Sequence, residues 1–186
     1  MTVNLRKVAK RAAQYDYVLI VMRHAKTEFA DGIADIDRQL LKKGRQQAKN
    51  AGKAIKRMNL IPDTIECSGA KRTRQTADCL LKVFGDDPDI NYRAKLYGGG
   101  MQAYADRLAR AKDKVRTMMI IGHEPDVSVC SCWLADPDSH KGRMDKLRLG
   151  FSPATFAVLG SDKPFNRWDL HEAQILGVIT AKDCDE

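Results

Sequence analysis

The sequence predicts an α/β protein, a three-layer α/β/α sandwich with a mainly parallel central sheet. Short apolar runs without polar alternation, which are typical of strands covered on both faces, recur along the chain. Segments with apolar residues at helical spacing separate these runs, and this alternation favours a sheet layered between helices. The chain has 186 residues, a length that suits one compact domain, and it contains no internal repeat or linker.

The first half of the chain contains two strand–helix units. Residues 17–22 form the first buried run, YVLIVM. Small and apolar residues at helical spacing predict a helix over 44–58, which Pro62 terminates. A short strand over 64–67 then leads directly into a second helix, from about Lys71 to Phe84.

The second half continues the alternation and closes with two edge strands. Its predicted elements are an extended segment over 90–96, helices over 102–112 and 127–134, a buried strand over 117–121, and antiparallel strands over 155–159 and 166–170. Three breaks separate these elements: the GDDPD turn at 85–89, the glycine triplet at 98–100, and GHEPD at 122–126.

The start of the chain differs from the rest in charge. Four basic residues precede the first acidic residue, Asp16. Residues 1–16 are therefore expected to form a basic N-terminal extension to a single domain over 17–186. A short helix, a loose tail and a targeting remnant are all compatible with this composition.

Composition excludes several classes of function. The net charge of +8 suggests anionic partners, but the basic residues are spread along the predicted helices, so we expect no nucleic-acid partner. No apolar run is long enough to cross a bilayer and no secretory signal is visible, so we expect a cytoplasmic protein without a membrane partner. The five cysteines are interpreted as reduced thiols, and Cys130 and Cys132 lack a second pair at metal-binding spacing.

Polar residues follow three of the predicted strands. The first strand ends in RHAKTE (23–28), the second in SGAKRTRQTA (68–77), and the strand over 117–121 ends in GHEPD. In open α/β sheets, ligands bind beyond the carboxyl ends of the strands. Two histidines and at least two arginines are therefore expected to meet at one rim.

This set of side chains suits a phosphoryl group. Arginine presents a fixed fork of donors that matches phosphate oxygens and stays charged at any relevant pH. Histidine is largely neutral near pH 7, so a ring nitrogen can attack phosphorus without first losing a proton. A cation such as Arg72 is disfavoured in the first turn of a helix unless an anion binds there.

The Arg23-His24 pair, Arg72 within SGAKRTRQTA, and the GHEP segment together resemble the histidine phosphatase superfamily, from about residue 17 to 170. In that superfamily an R-H-G/A motif follows the first strand. The chain is most similar to the SixA type of phosphohistidine phosphatase, because it has a short R-H-A-K-x-E opening, places Arg38 before LLKKG, and lacks long lid insertions. The resemblance implies a phosphoglycerate mutase-like fold.

The resemblance also implies roles for individual residues. His24 would be the nucleophile, with one ring nitrogen attacking in line and the other oriented by a backbone carbonyl. Arg23, Arg72 and His123 would hold the phosphate, and Arg38 would be a further substrate-binding residue. Water would then hydrolyse the phosphohistidine. No metal and no organic cofactor are implied.

The proton donor is the point at which the chain departs from the superfamily. Mutases carry a glutamate in the loop after the third strand, but here residues 96–100 read LYGGG. Glu124 is a candidate replacement, although an acid there equally suits a helix N-terminus, and Glu28 is another. A phosphohistidine substrate would lessen the need, because its leaving imidazole demands a proton far less than an alkoxide does.

These observations lead to one principal hypothesis and two rivals. The principal hypothesis is a metal-independent SixA-type phosphatase that acts on a phosphorylated protein through a phosphohistidine intermediate. One rival is a phosphatase for a small or nucleotide phosphate, which would take a small phosphorylated substrate. The other is a phosphate-binding module without catalysis. The sequence does not indicate the oligomeric state.

Overall fold

The computed structural model describes residues 2–29, 31–86 and 88–185. The polar residues 30–38 predict a loop after the first strand, and its first residue, Ala30, lies outside the described residues. Asp87 in the GDDPD turn and the terminal Met1 and Glu186 lie outside them too.

A single mixed sheet forms the centre of the molecule. Its strands are β1 (Tyr17–Arg23), β2 (Thr64–Ser68), β3 (Asp89–Arg93), β4 (Thr117–Gly122), β5 (Phe156–Ser161) and β6 (Gln174–Ile179). Their order across the sheet is β3-β2-β4-β1-β5-β6. The first four strands are parallel, whereas β5 and β6 add antiparallel pairs at one edge. The predicted mainly parallel sheet is therefore confirmed.

Helices cover both faces of this sheet. They are α1 (Leu5–Ala12), α2 (Lys42–Arg57), α3 (Lys71–Phe84), α4 (Gly100–Ala109), α5 (Asp126–Leu134) and α6 (Lys141–Arg148). Alternate residues of β1 enter two separate cores: Ile20 packs with α2 and α3, and Leu19 packs with α4, α5 and α6. A strand buried on both faces needs apolar residues throughout, which is why its sequence shows no alternation. Among the helices of the described ranges, none could span a bilayer.

The N-terminal segment forms the helical alternative of the three that its composition allowed. Val8 and Ala12 on one face of α1 are buried against the sheet, and Arg11 donates a hydrogen bond to the carbonyl of Leu176 at 3.2 Å. Asn4 caps the helix by accepting a hydrogen bond from the backbone N–H of Lys7. The division between residues 1–16 and a domain over 17–186 stays a prediction.

The last part of the chain corrects one expectation and contains two elements that were not predicted. The strand expected over 166–170 is wrong: residues 165–167 form a 3-10 turn, and the indole of Trp168 donates to the carbonyl of Lys163. The final strand is instead Gln174–Ile179, and α6 precedes β5 without having been predicted. The 166–170 segment contains the charged residues Arg167 and Asp169, which would be buried without partners in a sheet covered on both faces. The observed final strand is almost fully buried.

Candidate active site

The carboxyl ends of three neighbouring strands bring the predicted residues together. Arg23 ends β1 and pairs in register with Gly122, which ends β4, so His24 and His123 follow at the same level. The backbone N–H of His24 donates to the carbonyl of Gly122 at 3.1 Å. The two imidazole rings lie 5.4 Å apart, centroid to centroid. The expected meeting of the two histidines at one rim is confirmed.

His24 is held in a single tautomer. Its Nδ1 lies 2.8 Å from the carbonyl oxygen of Ala25, and because a carbonyl only accepts, Nδ1 carries the proton and Nε2 keeps a lone pair. The side chain is buried, with 7% of its surface exposed. Burial, followed by the positive charge of Arg72, lowers the pKa of His24 to about 3, although the hydrogen bond to Ala25 raises it. The ring is therefore neutral near pH 7 and has a free nucleophilic nitrogen.

His123 is anchored through a serine. Its Nε2 lies 2.8 Å from the hydroxyl of Ser68, the last residue of β2, which is fully buried. The ring of Tyr97 packs edge-on against it at 5.3 Å. Burial, followed by the charge of Arg72, lowers the pKa of His123 to about 4. This ring too is neutral near pH 7.

Arg72 lies in the first turn of α3 and is almost fully buried. The hydroxyl of Thr76 donates to the carbonyl of Arg72 and accepts from the backbone N–H of Ala25, which ties α3 to the residue after His24. The two terminal nitrogens of the guanidinium donate to Asp35, one to its carbonyl and one to its Oδ2 at 2.8 Å.

Arg23, the last residue of β1, is the second arginine of the cluster. Its Nη1 donates to the carbonyl of Phe151 at 2.6 Å, and burial lowers the pKa of the guanidinium, while Glu124 raises it. Even so, an arginine stays charged at any relevant pH. Two cations therefore lie beside two neutral histidines.

Three buried nitrogens of this cluster lack partners. The two arginine Nε atoms are donors, and His123 Nδ1 is a donor in the tautomer whose Nε2 accepts from the hydroxyl of Ser68. Arg23 Nε, Arg72 Nε and His123 Nδ1 are all inaccessible to solvent and make no hydrogen bond within the described residues. Leaving a buried polar atom unpaired costs about 1–3 kcal/mol. A bound oxyanion would supply acceptors for such donors.

Arg38 is placed on a loop that borders the cluster. Its guanidinium donates to the carbonyl of Glu28, to the hydroxyl of Thr27 and to Oδ1 of Asp35, and it stacks over the ring of Phe29 at 4.5 Å. All of these contacts are with residues of the segment between β1 and α2.

The two carboxylates considered as proton donors both hold backbone groups. Oε1 of Glu124 accepts hydrogen bonds from the hydroxyl of Ser128 and from the backbone N–H of Phe151, at 3.2 Å in the second case. Its Oε2 is buried without a partner in the described part of the chain. Oε1 of Glu28 accepts from the backbone N–H of Gln39 at 3.0 Å.

Three residues of the site were missed at the level of sequence: Ser68, Asp35 and Tyr97. Each lies beside a motif that the sequence does show. Ser68 opens the SGAKRTRQTA segment, Asp35 precedes Arg38 by three positions, and Tyr97 lies in the loop that lacks the expected glutamate. Within the described ranges, no group of three or more histidine, cysteine or acidic side chains could hold a metal ion.

Comparisons with known proteins agree with this geometry. The model of the histidine phosphatase superfamily (branch 1) matches residues 19–126. The uncharacterised protein Rv1276c of Mycobacterium tuberculosis is 38% identical over 114 residues, which cover 61% of this chain and 70% of that protein.

Two solved structures extend the likeness to most of the chain. A candidate phosphohistidine phosphatase SixA from Nakamurella multipartitia is 32% identical, with a TM-score of 0.75 over 87% of this chain and 94% of that one. Another from Agrobacterium tumefaciens is 27% identical, with a TM-score of 0.69 over 86% and 98%. The fold is thus the expected phosphoglycerate mutase-like one. The chain belongs to the histidine phosphatase superfamily, branch 1, and is a phosphatase.

Proposed function

We propose that the chain is a SixA-type phosphohistidine phosphatase, which removes the phosphoryl group from a histidine of a partner protein. The observation that carries this proposal is the hydrogen bond from Nδ1 of His24 to the carbonyl of Ala25, at 2.8 Å. It leaves the lone pair of Nε2 free on a neutral ring, between two arginines and a second histidine. Such a ring can attack phosphorus without a base to activate it.

Arg23, Arg72 and His123 would hold the phosphoryl group. Their unpaired buried nitrogens support this role, because the oxygens of a phosphoryl group would accept the hydrogen bonds that these donors lack. In phosphoryl transfer the charge spreads over three equatorial oxygens, so fixed cations stabilise the transition state.

The reaction would proceed in two displacements. In the first, the Nε2 lone pair of His24 forms a bond to phosphorus while the P–N bond of the substrate breaks, and the leaving imidazole takes up a proton from solvent water. In the second, water attacks phosphorus, the bond to Nε2 breaks, and the proton of the water is released. Phosphate and unmodified His24 result, so no metal or cofactor takes part in the proposal.

A phosphohistidine substrate agrees best with the lack of a glutamate in the loop after the third strand. Both candidate carboxylates, Glu124 and Glu28, accept hydrogen bonds from backbone groups, and residues 96–100 contain no glutamate. An imidazole leaves with little assistance from a proton donor, whereas an alkoxide requires one. The two SixA-like structures at 32% and 27% identity support the same choice. Action on a cytoplasmic phosphoprotein is part of this proposal.

A substrate panel with matched variants tests the proposal. Phosphate release would be measured from a histidine-phosphorylated protein and from sugar and nucleotide phosphates, with wild type, His24→Ala and His140→Ala. His140 is an exposed histidine at the start of α6 and serves as the control. We expect the phosphoprotein to be preferred, and His24→Ala alone to lose turnover and the trapped phosphoenzyme.

Each other result points elsewhere. Preference for a sugar or nucleotide phosphate would replace the phosphoprotein by a small substrate. Normal turnover by His24→Ala would overturn the nucleophile, and binding without turnover by wild type would indicate the non-catalytic module.

A further inference from the structure

One acidic side chain lies at the mouth of the site without a role in the proposed reaction. Asp35 belongs to a short 3-10 turn between β1 and α2, and about half of its side chain is exposed. Its Oδ2 accepts from Arg72 Nη2 and from the hydroxyl of Tyr97, both at 2.8 Å, and its Oδ1 accepts from Arg38 Nη1 at 3.0 Å. Arg38 of the same turn and two other segments of the chain therefore hold one carboxylate.

The contact with Arg72 uses a particular edge of the guanidinium. A guanidinium is planar and has five N–H groups, which form an end-on fork between the two terminal nitrogens and a side-on fork that includes Nε. Asp35 takes the end-on fork, with its backbone carbonyl on Nη1 and its carboxylate on Nη2. The Nε atom is buried and has no partner among the described residues. The side-on fork therefore has one N–H, that of Nε, which no described residue pairs.

We infer that Asp35 is a positioning residue, which holds Arg72 by the end-on edge of its guanidinium so that the side-on edge faces the phosphoryl group. This inference rests on the proposed role of Arg72 in binding that group. Carboxylate and phosphoryl group then occupy different edges of one planar cation, so they bind together rather than compete.

The charges around Asp35 agree with this role. Hydrogen bonds from Arg38, then from Tyr97 and Arg72, hold the pKa of the Asp35 carboxyl well below its usual range, so it stays ionised. An ionised carboxylate forms hydrogen bonds about twice as strong as those of a neutral acceptor. It also offsets part of the repulsion among three arginines collected around two histidines.

Tyr97 extends the arrangement to the second histidine. Its hydroxyl donates to Asp35, its ring packs against His123, and the Arg72 guanidinium carbon lies 5.7 Å from the ring centroid. A displacement of Asp35 would thus change the positions of both Arg72 and His123, which bind phosphate in the proposed function.

A double-mutant cycle between Asp35 and Arg72 tests the inference. Asp35→Asn keeps the shape of the side chain but removes its charge, and Asp37→Asn makes the same change in the same turn at an exposed residue. The measurements are kcat/KM for phosphoramidate and inhibition by vanadate, with the thermal midpoint as a check on folding. We expect Asp35→Asn to lose about tenfold in kcat/KM and to bind vanadate more weakly, which is the effect of one charged hydrogen bond.

The background variant makes the result specific. In Arg72→Lys the forks are absent, so Asp35→Asn should cause no further loss there. Tyr97→Phe removes one donor from Asp35 without a change in charge, so its loss of kcat/KM should be smaller than that of Asp35→Asn. This loss should occur in the protein with Arg72 and not in the Arg72→Lys variant. Tyr97→Phe covers the case in which Asp35→Asn fails to fold.

Two results would overturn the inference. Losses that multiply in the double variant would mean that Asp35 acts independently of Arg72. Tighter vanadate binding by Asp35→Asn would mean that the carboxylate competes with the phosphoryl group. Full activity of Arg72→Lys would instead contradict the proposed role of Arg72, which is a separate failure.

Discussion

The hydroxyl of Ser68 and the Nε2 of His123, 2.8 Å apart, connect the ends of two adjacent parallel strands. Ser68 ends β2 and His123 follows β4, so each side chain is placed by a strand whose backbone is paired on both sides. Together with the packing of Tyr97, the contact fixes the ring plane of His123.

Ser68→Ala should therefore weaken catalysis without a large loss of fold stability. The variant leaves His123 Nε2 without its partner, and we expect about a tenfold fall in kcat/KM. Ser131→Ala is the matched control, because Ser131 is equally buried but donates to the carbonyl of Val127 within α5. Steady-state kinetics compare the two, and equal activity of both variants would contradict a role for the contact.

The two buried histidines should make the fold less stable in mild acid. Their folded pKa values, about 3 and about 4, lie below the ordinary value of 6.5. Between about pH 4 and 6.5 the unfolded chain therefore binds more protons, and the free energy of unfolding rises with pH, by up to about 1.4 kcal/mol per pH unit for each histidine.

Urea unfolding of wild type and His24→Asn in buffers without phosphate measures this dependence. The variant should show a shallower pH slope across the same window, because one of the two depressed histidines is gone. Carboxyl groups titrate in both proteins and cancel in the difference. Parallel slopes would mean that the pKa of His24 is the same in the folded and the unfolded chain.

Gly122 should tolerate no side chain unless Tyr104 is shortened. A Cβ added at Gly122, directly before His123, would overlap the hydroxyl of Tyr104 on α4 and lie 3.1 Å from its ring carbon Cζ. Gly122→Ala should cost about 1–3 kcal/mol of unfolding free energy. Gly122→Ala with Tyr104→Phe should recover part of this loss, and calorimetric midpoints of the two proteins would decide. Identical midpoints would place the strain elsewhere.

Helix α1 should contribute to the stability of the whole fold. Val8 is fully buried, and Val8→Ala removes two methyl equivalents at about 0.8 kcal/mol each and leaves a cavity, so we expect a loss of about 2 kcal/mol. Lys7→Ala on the exposed side of the same helix is the control. Equal stability of both variants in urea would support a dispensable extension over residues 1–16.

Much of the fold could be predicted because a strand that is buried on both faces requires a continuous apolar run, as in β1. The prediction failed where the apolar run is weak, or where two neighbouring segments both resemble a strand. Helix α6 has only two buried apolar residues, Met144 and Leu147, and it is short. The sequence predicts a strand over 166–170 and not the observed Gln174–Ile179, whose apolar run is interrupted by Gly177.

The site was predicted where it depends on strand ends and missed where it depends on loops. His24 and His123 follow buried strands, so their meeting is a consequence of parallel pairing. Asp35 and Tyr97 reach the cluster from irregular segments 62 positions apart. A contact between two such segments leaves no periodic pattern in the sequence from which it could be predicted. Only their proximity to Arg38 and to the glycine loop marked them.

Strand β1 lies inside the sheet, with β4 on one side and β5 on the other. Its amides should exchange with deuterium at rates governed by global unfolding, whereas those of the turn around Asp35 should exchange through local opening. In the proposed function, the nucleophile would thus be attached to the slowest-exchanging part of the protein, and the turn at the mouth of the site would be one of the fastest-exchanging parts.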